Sequence, residues 1–143
     1  MFLKNKKNSF IFILLLVDCI TFMLSFVVAF YLRFYVLPID VVYSFSQYLK
    51  ISLLLIPVWI LFVNFFIGYK LAYISKFDLF IKILKTSIAF IIFILALIFI
   101  IKNDTSRLLV FFVWCNLIIF TLLSRYILKQ IIAYIVYKLN IKI

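Results

Sequence analysis

Few side chains in this chain could do chemistry. Its acids are Asp18, Asp40, Asp78 and Asp104, and it contains neither Glu nor His. General acid–base catalysis draws mostly on His or on carboxylates placed within reach of the reacting proton. Zinc-type metal sites draw on Cys, His and carboxylates converging on one point. The four acids stand in four separate stretches, so no His-based acid or base, no histidine metal site and no Asp–Glu dyad can be built from this chain. Cys19 and Cys115 both sit inside apolar runs, where a free thiol behaves as a small buried hydrophobe.

Asp18 is the conspicuous residue. It lies nine residues beyond Ser9 within an apolar run, so about 13 Å along a helix. A carboxylate at that depth in a bilayer is costly and normally faces the interior of a bundle, with a partner. Asn116 is expected at a similar depth in the last apolar run. Arg125 is expected closer to the membrane surface but able to reach inward. Asp18 is therefore expected to accept a hydrogen bond from Asn116 or to pair with Arg125, locking the first span to the last. The alternative is a proton or cation site of a small transporter. The structural role is favoured, because Asp18 has no second acid, no His and no broken Gly-rich helix beside it to form a pathway.

The elements that must position these groups are four apolar runs: Ser9 to Leu32, about Tyr48 to Phe66, Leu79 to Ile101, and Leu108 to Leu123. A bilayer core about 30 Å thick needs about 20 apolar helical residues. Composition agrees: 70% of the 143 residues are hydrophobic and 13% charged, against about 45–50% and 25% in soluble domains. The expected fold is all-α, a single domain over 1–143. It has four antiparallel membrane-spanning helices at about 9–33, 48–67, 79–101 and 107–128. Lys4, Lys6 and Lys7 precede a run too long for a signal-peptide core, with no small-x-small cleavage site after it, so an uncleaved first span is expected.

Orientation follows from Lys and Arg, which collect in cytoplasmic loops. With the N-terminus inside, the inner segments hold Lys4, Lys6, Lys7, Lys70, Lys76, Lys82, Lys85, Arg125, Lys129, Lys138 and Lys142. The outer segments hold only Arg33, Lys50, Lys102 and Arg107. Both termini are thus expected in the cytoplasm. Topology accounts for the excess of 15 Lys and Arg over 4 acids, and no nucleic-acid partner is expected.

Local signals mark the ends of the spans. Arg33, between tyrosines, is expected to snorkel its charge to water, and Pro38 closes that exit. Pro57 is expected to kink the second span, and Gly68, the only glycine, to end it. Ser75-Lys76-Phe77-Asp78 resembles a capping box. Asp78 and Lys82 are four apart and share a helix face, with Lys85 one turn on. An amphipathic turn on the inner surface, bending into span three, is expected there. Lys102 to Arg107 forms the last outer turn. The Lys-studded stretch from Arg125 onward either extends the fourth helix or lies along the interface. Asn64, Ser25 and Ser87 are expected at helix–helix contacts, and Trp59 and Trp114 pack against lipid or core.

Several of these stretches together resemble one family. Asp18-Cys19-Ile20 is followed by Ser25-Phe26-Val27-Val28-Ala29-Phe30 and by Leu32-Arg33-Phe34. Phe66-Ile67-Gly68-Tyr69, Lys76-Phe77-Asp78 with Lys85, Ser106-Arg107-Leu108, and Ser124-Arg125 with Lys129 follow in order. This series resembles the N-terminal four-helix region of bacterial polyprenyl-phosphate hexose-1-phosphate transferases, over nearly the whole chain. The resemblance implies a role at the start of capsule, O-antigen or exopolysaccharide assembly, in the cytoplasmic (inner) membrane. Members transfer a sugar phosphate from a nucleotide sugar to undecaprenyl phosphate, using an Asp–Glu pair and Mg²⁺ in a separate catalytic domain. The chain is expected to be the membrane module without that domain: a truncated product, a split-gene subunit or a free-standing scaffold. It would be non-catalytic, with no cofactor of its own. Its expected partners are the bilayer, undecaprenyl phosphate, a separate catalytic subunit and a second copy of the chain. Arg33, Asp78, Lys82, Lys85 and Arg107 are carried over as interface anchors only. The similar membrane region of nucleotide-sugar dehydratases and epimerases is an alternative. Asp104-Thr105-Ser106-Arg107 leans to the transferase side, since those enzymes tend to show Pro-Arg-Ser there. A small four-span transporter or lipid-carrier flippase using Asp18 is a further alternative, disfavoured by the single glycine.

Overall fold

A computed structural model describes residues 2–36, 44–68, 75–101 and 107–139. Pro38, Asp40, Tyr69, Lys70, Lys102, Asp104, Ser106 and Lys142 lie outside them. Among the described residues all regular structure is helical. Helix α1 covers Phe2–Tyr31 and runs into a π-helical turn, Leu32–Val36. Helix α2 is Phe45–Phe66, α3 is Lys76–Ile101 and α4 is Arg107–Leu139. All four contain stretches long and apolar enough to cross a membrane: Ser9–Tyr35, Phe45–Phe66, Lys76–Ile101 and Arg107–Ile135. The chain is built as a multi-pass membrane protein. Helices suit this setting because each satisfies its own backbone hydrogen bonds where no water is present.

The helix ends follow local chemistry. Gln47 Oε1 accepts from the Ser44 backbone N–H at 2.9 Å, which starts α2. Gly68, at φ +67°, follows the last turn of α2, and its N–H donates to Val63 O at 3.0 Å. That left-handed conformation suits a residue without a Cβ. At the start of α3 the Asp78 N–H donates to Ser75 Oγ at 3.1 Å, and the Ser75 hydroxyl donates to Asp78 Oδ2 at 2.7 Å. The side-chain half of the expected box is thus present. The expected surface turn and bend are not a separate element, because α3 runs as one helix from Lys76. Pro57 stays inside α2, which is likewise one helix.

The fourth span is expected at about 107–128; helix α4 itself continues to Leu139, with an apolar stretch that reaches Ile135. Of the two courses open to the residues after Arg125, extension of the helix is the one adopted. The Lys residues in this part interrupt hydrophobicity but not helicity, since Lys is a good helix former.

The helices pack in a ring in which α1 touches α2 and α4, and α3 touches the same two. The α1–α4 contact is the most extensive. Asp18, Thr21, Ser25 and Ala29, spaced as one helix face, are all buried on α1. Small side chains let two helices approach closely in a membrane. One apolar cluster gathers Phe22, Trp59, Phe90 and Leu117 from all four helices. Phe90 meets Phe22 edge-on at 5.9 Å between ring centroids and Trp59 at 5.1 Å. A second cluster joins Phe26, Ala29 and Phe30 to Tyr48 and Leu109.

Candidate functional site

Asp18 and Arg125 meet between α1 and α4. Arg125 Nη2 donates to both carboxylate oxygens, at 2.9 Å to Oδ1 and 2.7 Å to Oδ2. Both side chains are 0% exposed. Asp18 lies nine residues from Ser9, where its apolar stretch begins, and Arg125 ten residues from Ile135, where its own ends. The two charges therefore sit at matching depths, well inside their helices.

Of the two partners open to Asp18, the structure gives Arg125. Asn116 lies nine residues up α4 from Arg125, which is about 13 Å along the axis, too far for a short amide to span. Its side-chain N–H donates instead to Phe112 O at 2.9 Å, within its own helix.

A polar layer accompanies the pair. Thr21 Oγ1 donates to Asp18 O at 2.9 Å, and Ser25 Oγ to Thr21 O at 2.7 Å. Thr86 and Ser87 on α3 are fully buried and donate to Lys82 O and Leu84 O. Thr121, one turn before Arg125 on α4, is also fully buried. Its hydroxyl has no hydrogen-bond partner among the described residues. Thr21, Thr86 and Thr121 were not singled out from the sequence. Their signal lay in spacing: Thr21 falls three residues after Asp18, and Thr121 four before Arg125, each on the same helix face as its charged neighbour.

The remaining anchor residues are scattered. Asp78 is exposed and engaged by Ser75. Lys82 is half-buried, while Lys85 and Arg107 are exposed. Arg33 departs from the snorkelling expectation: it is 6% exposed, in the π-helical turn, with its guanidinium 5.3 Å from the centroid of the Phe34 ring. Trp59 belongs to the core, whereas Asn64 is exposed rather than held in a helix contact. Cys19 and Cys115 are free thiols, both half-buried. Near the start of α3 the Tyr126 hydroxyl donates to Lys76 O at 3.2 Å, tying α4 to α3.

The arrangement is a charge-neutral clamp. A buried carboxylate with a guanidinium on both oxygens gains Coulomb energy that offsets its desolvation only while the geometry is kept. The same guanidinium repels any cation approaching that carboxylate. No group of three or more His, Cys, Asp or Glu side chains that could hold a metal occurs among the described residues.

Comparison with protein-family models, with curated proteins and with solved structures finds no match.

Proposed function

We propose that this chain is a membrane-anchoring module for a sugar-phosphate transfer to undecaprenyl phosphate, in capsule, O-antigen or exopolysaccharide synthesis. In this reading it does not itself catalyse the transfer. Its four helices cross the cytoplasmic membrane antiparallel, with both ends in the cytoplasm, where the excess of Lys and Arg holds them.

The supporting observation is the Asp18–Arg125 clamp. Both residues belong to the stretches on which the sequence resemblance rests, one near its beginning and one near its end. They stand 107 positions apart and meet at 2.7 Å. A paired role accounts for both at once: each side chain holds the other's helix in place. It also favours a scaffold over ion-coupled transport, which needs a carboxylate free to take up and release its ion.

Complementation tests the proposal. The chain is expressed in a bacterium lacking its undecaprenyl-phosphate sugar transferase, alone and together with a soluble catalytic domain fused after Ile143. Glycolipid is expected only from the fusion, which should fractionate with the membrane. Glycolipid from the chain alone would overturn the non-catalytic assignment. A membrane-bound, folded fusion that makes none would overturn the anchoring role.

A further inference from the structure

A cavity of about 400 Å³ lies in one half of the bundle. Its walls come from the N-terminal halves of α2 and α4 and the C-terminal half of α3, with Phe22 and Phe26 of α1 at its base. The lining is almost wholly apolar. Ser52, one of its few polar residues, donates its hydroxyl to Leu49 O at 2.8 Å. The backbones of α2 and α4 are not close neighbours among the described residues, and both helices line the cavity.

Among the described residues, two cations stand near the rim. Lys50 is exposed on α2, four residues before Leu54, which lines the cavity. Arg107 is exposed at the start of α4, three residues before Val110 and seven before Trp114, both in the lining. Residues at these spacings share a helix face. Lys50 therefore stands beside the first wall-forming turn of α2, between Tyr48 and Ile51, and Arg107 just before that of α4.

We propose that this cavity holds one acyl chain of an anionic glycerophospholipid drawn from the bilayer, with Lys50 and Arg107 on its headgroup. Size selects a linear chain. A helix about 10 Å across would fill this volume with roughly one turn, so a helix of a second copy does not fit. The apolar lining selects methylenes over a water-soluble ligand, and the two rim cations select a negatively charged headgroup. The proposal rests on residence in a bilayer and not on the transferase role, so either can fail without the other.

The test is lipid retention by the full chain, purified in mild detergent and offered equal phosphatidylglycerol and phosphatidylcholine, read by native mass spectrometry. One phosphatidylglycerol per chain is expected, preferred about thirtyfold, as two near-surface cations at about 1 kcal/mol each imply. Lys50→Gln with Arg107→Gln, both exposed sites, should bring the ratio to about one. Leu97→Trp, which narrows the cavity, should weaken retention of both lipids. Equal retention by the native chain would overturn the proposal, as would an unchanged ratio in the double variant. A second copy of the chain held in place of lipid would also overturn it. Circular dichroism reports whether Leu97→Trp folds. If it does not, the charge variant alone decides.

Discussion

Arg125 holds Asp18 through one nitrogen that reaches both carboxylate oxygens, at 2.7 and 2.9 Å, with neither side chain exposed. This joins α1 to α4 near the middle of both helices. A buried charge pair is worth little relative to an apolar pair, but half of it is worse than none. Asp18→Leu alone should therefore cost about 3 kcal/mol or more, because Arg125 is left charged and buried. Asp18→Leu with Arg125→Leu should recover most of that loss. Unfolding of the full chain in detergent measures Asp18→Leu, Arg125→Leu and the double variant. Additive losses in the double variant would show that the two residues do not act as a pair.

The aromatic cluster should respond less steeply than a soluble core. Phe90→Ala removes the edge-on contacts to Phe22 and Trp59. In a bilayer the unfolded helix keeps its side chains in apolar surroundings, so the transfer part of the usual cost largely vanishes. The packing and cavity part remains, about 2 kcal/mol of the 3–5 typical for a buried Phe in water. The same unfolding measurement tests it, and a loss of soluble-protein size would mean that water reaches this layer.

Ser75→Ala removes the hydroxyl that accepts from the Asp78 N–H and donates to its carboxylate. The first turn of α3 should loosen by about 1 kcal/mol. Hydrogen exchange of the amides at 76–79 should quicken about fivefold, as that energy implies, with the middle of α3 unchanged.

Gly68 separates a backbone effect from a steric one. A Cβ built there would meet nothing within 4 Å, so any cost of Gly68→Ala comes from its φ of +67° alone. A loss of about 1 kcal/mol is expected. Gly68→Asn should cost less, because Asn tolerates the left-handed region. Equal tolerance of both would mean that the turn after α2 can relax to a different conformation.

Orientation can be read with single cysteines at two exposed positions flanking helices. Against a Cys19→Ser, Cys115→Ser background, Ser44→Cys should react with an impermeant maleimide from outside the cell, and Ser75→Cys only after lysis. The reverse pattern would invert the proposed topology.

The local features were legible in the residues themselves. Four apolar runs imply four spans because a bilayer core admits little else. The Ser75–Asp78 cap and the left-handed Gly68 need only residues a few positions apart, so spacing alone announces them. The end of α4 was not legible in the same way. Lys129 and Lys138 lower hydrophobicity without breaking a helix, so hydropathy alone does not say where α4 ends.

The identity of Asp18's partner was not legible either. An acid at this depth needs a partner, and the sequence alone narrowed the candidates to Asn116 and Arg125. Choosing between them required knowing which turn of α4 faces which turn of α1, a relation between helices 107 positions apart. Tertiary packing likewise decided that Arg33 is buried, that Trp59 joins Phe22 and Phe90, and that α2, α3 and α4 line a cavity. Hydrophobic patterning carries little information about such choices, because in a bilayer the lipid-facing and core-facing sides of a helix are both apolar. Side-chain shape and a few buried polar groups decide which faces meet.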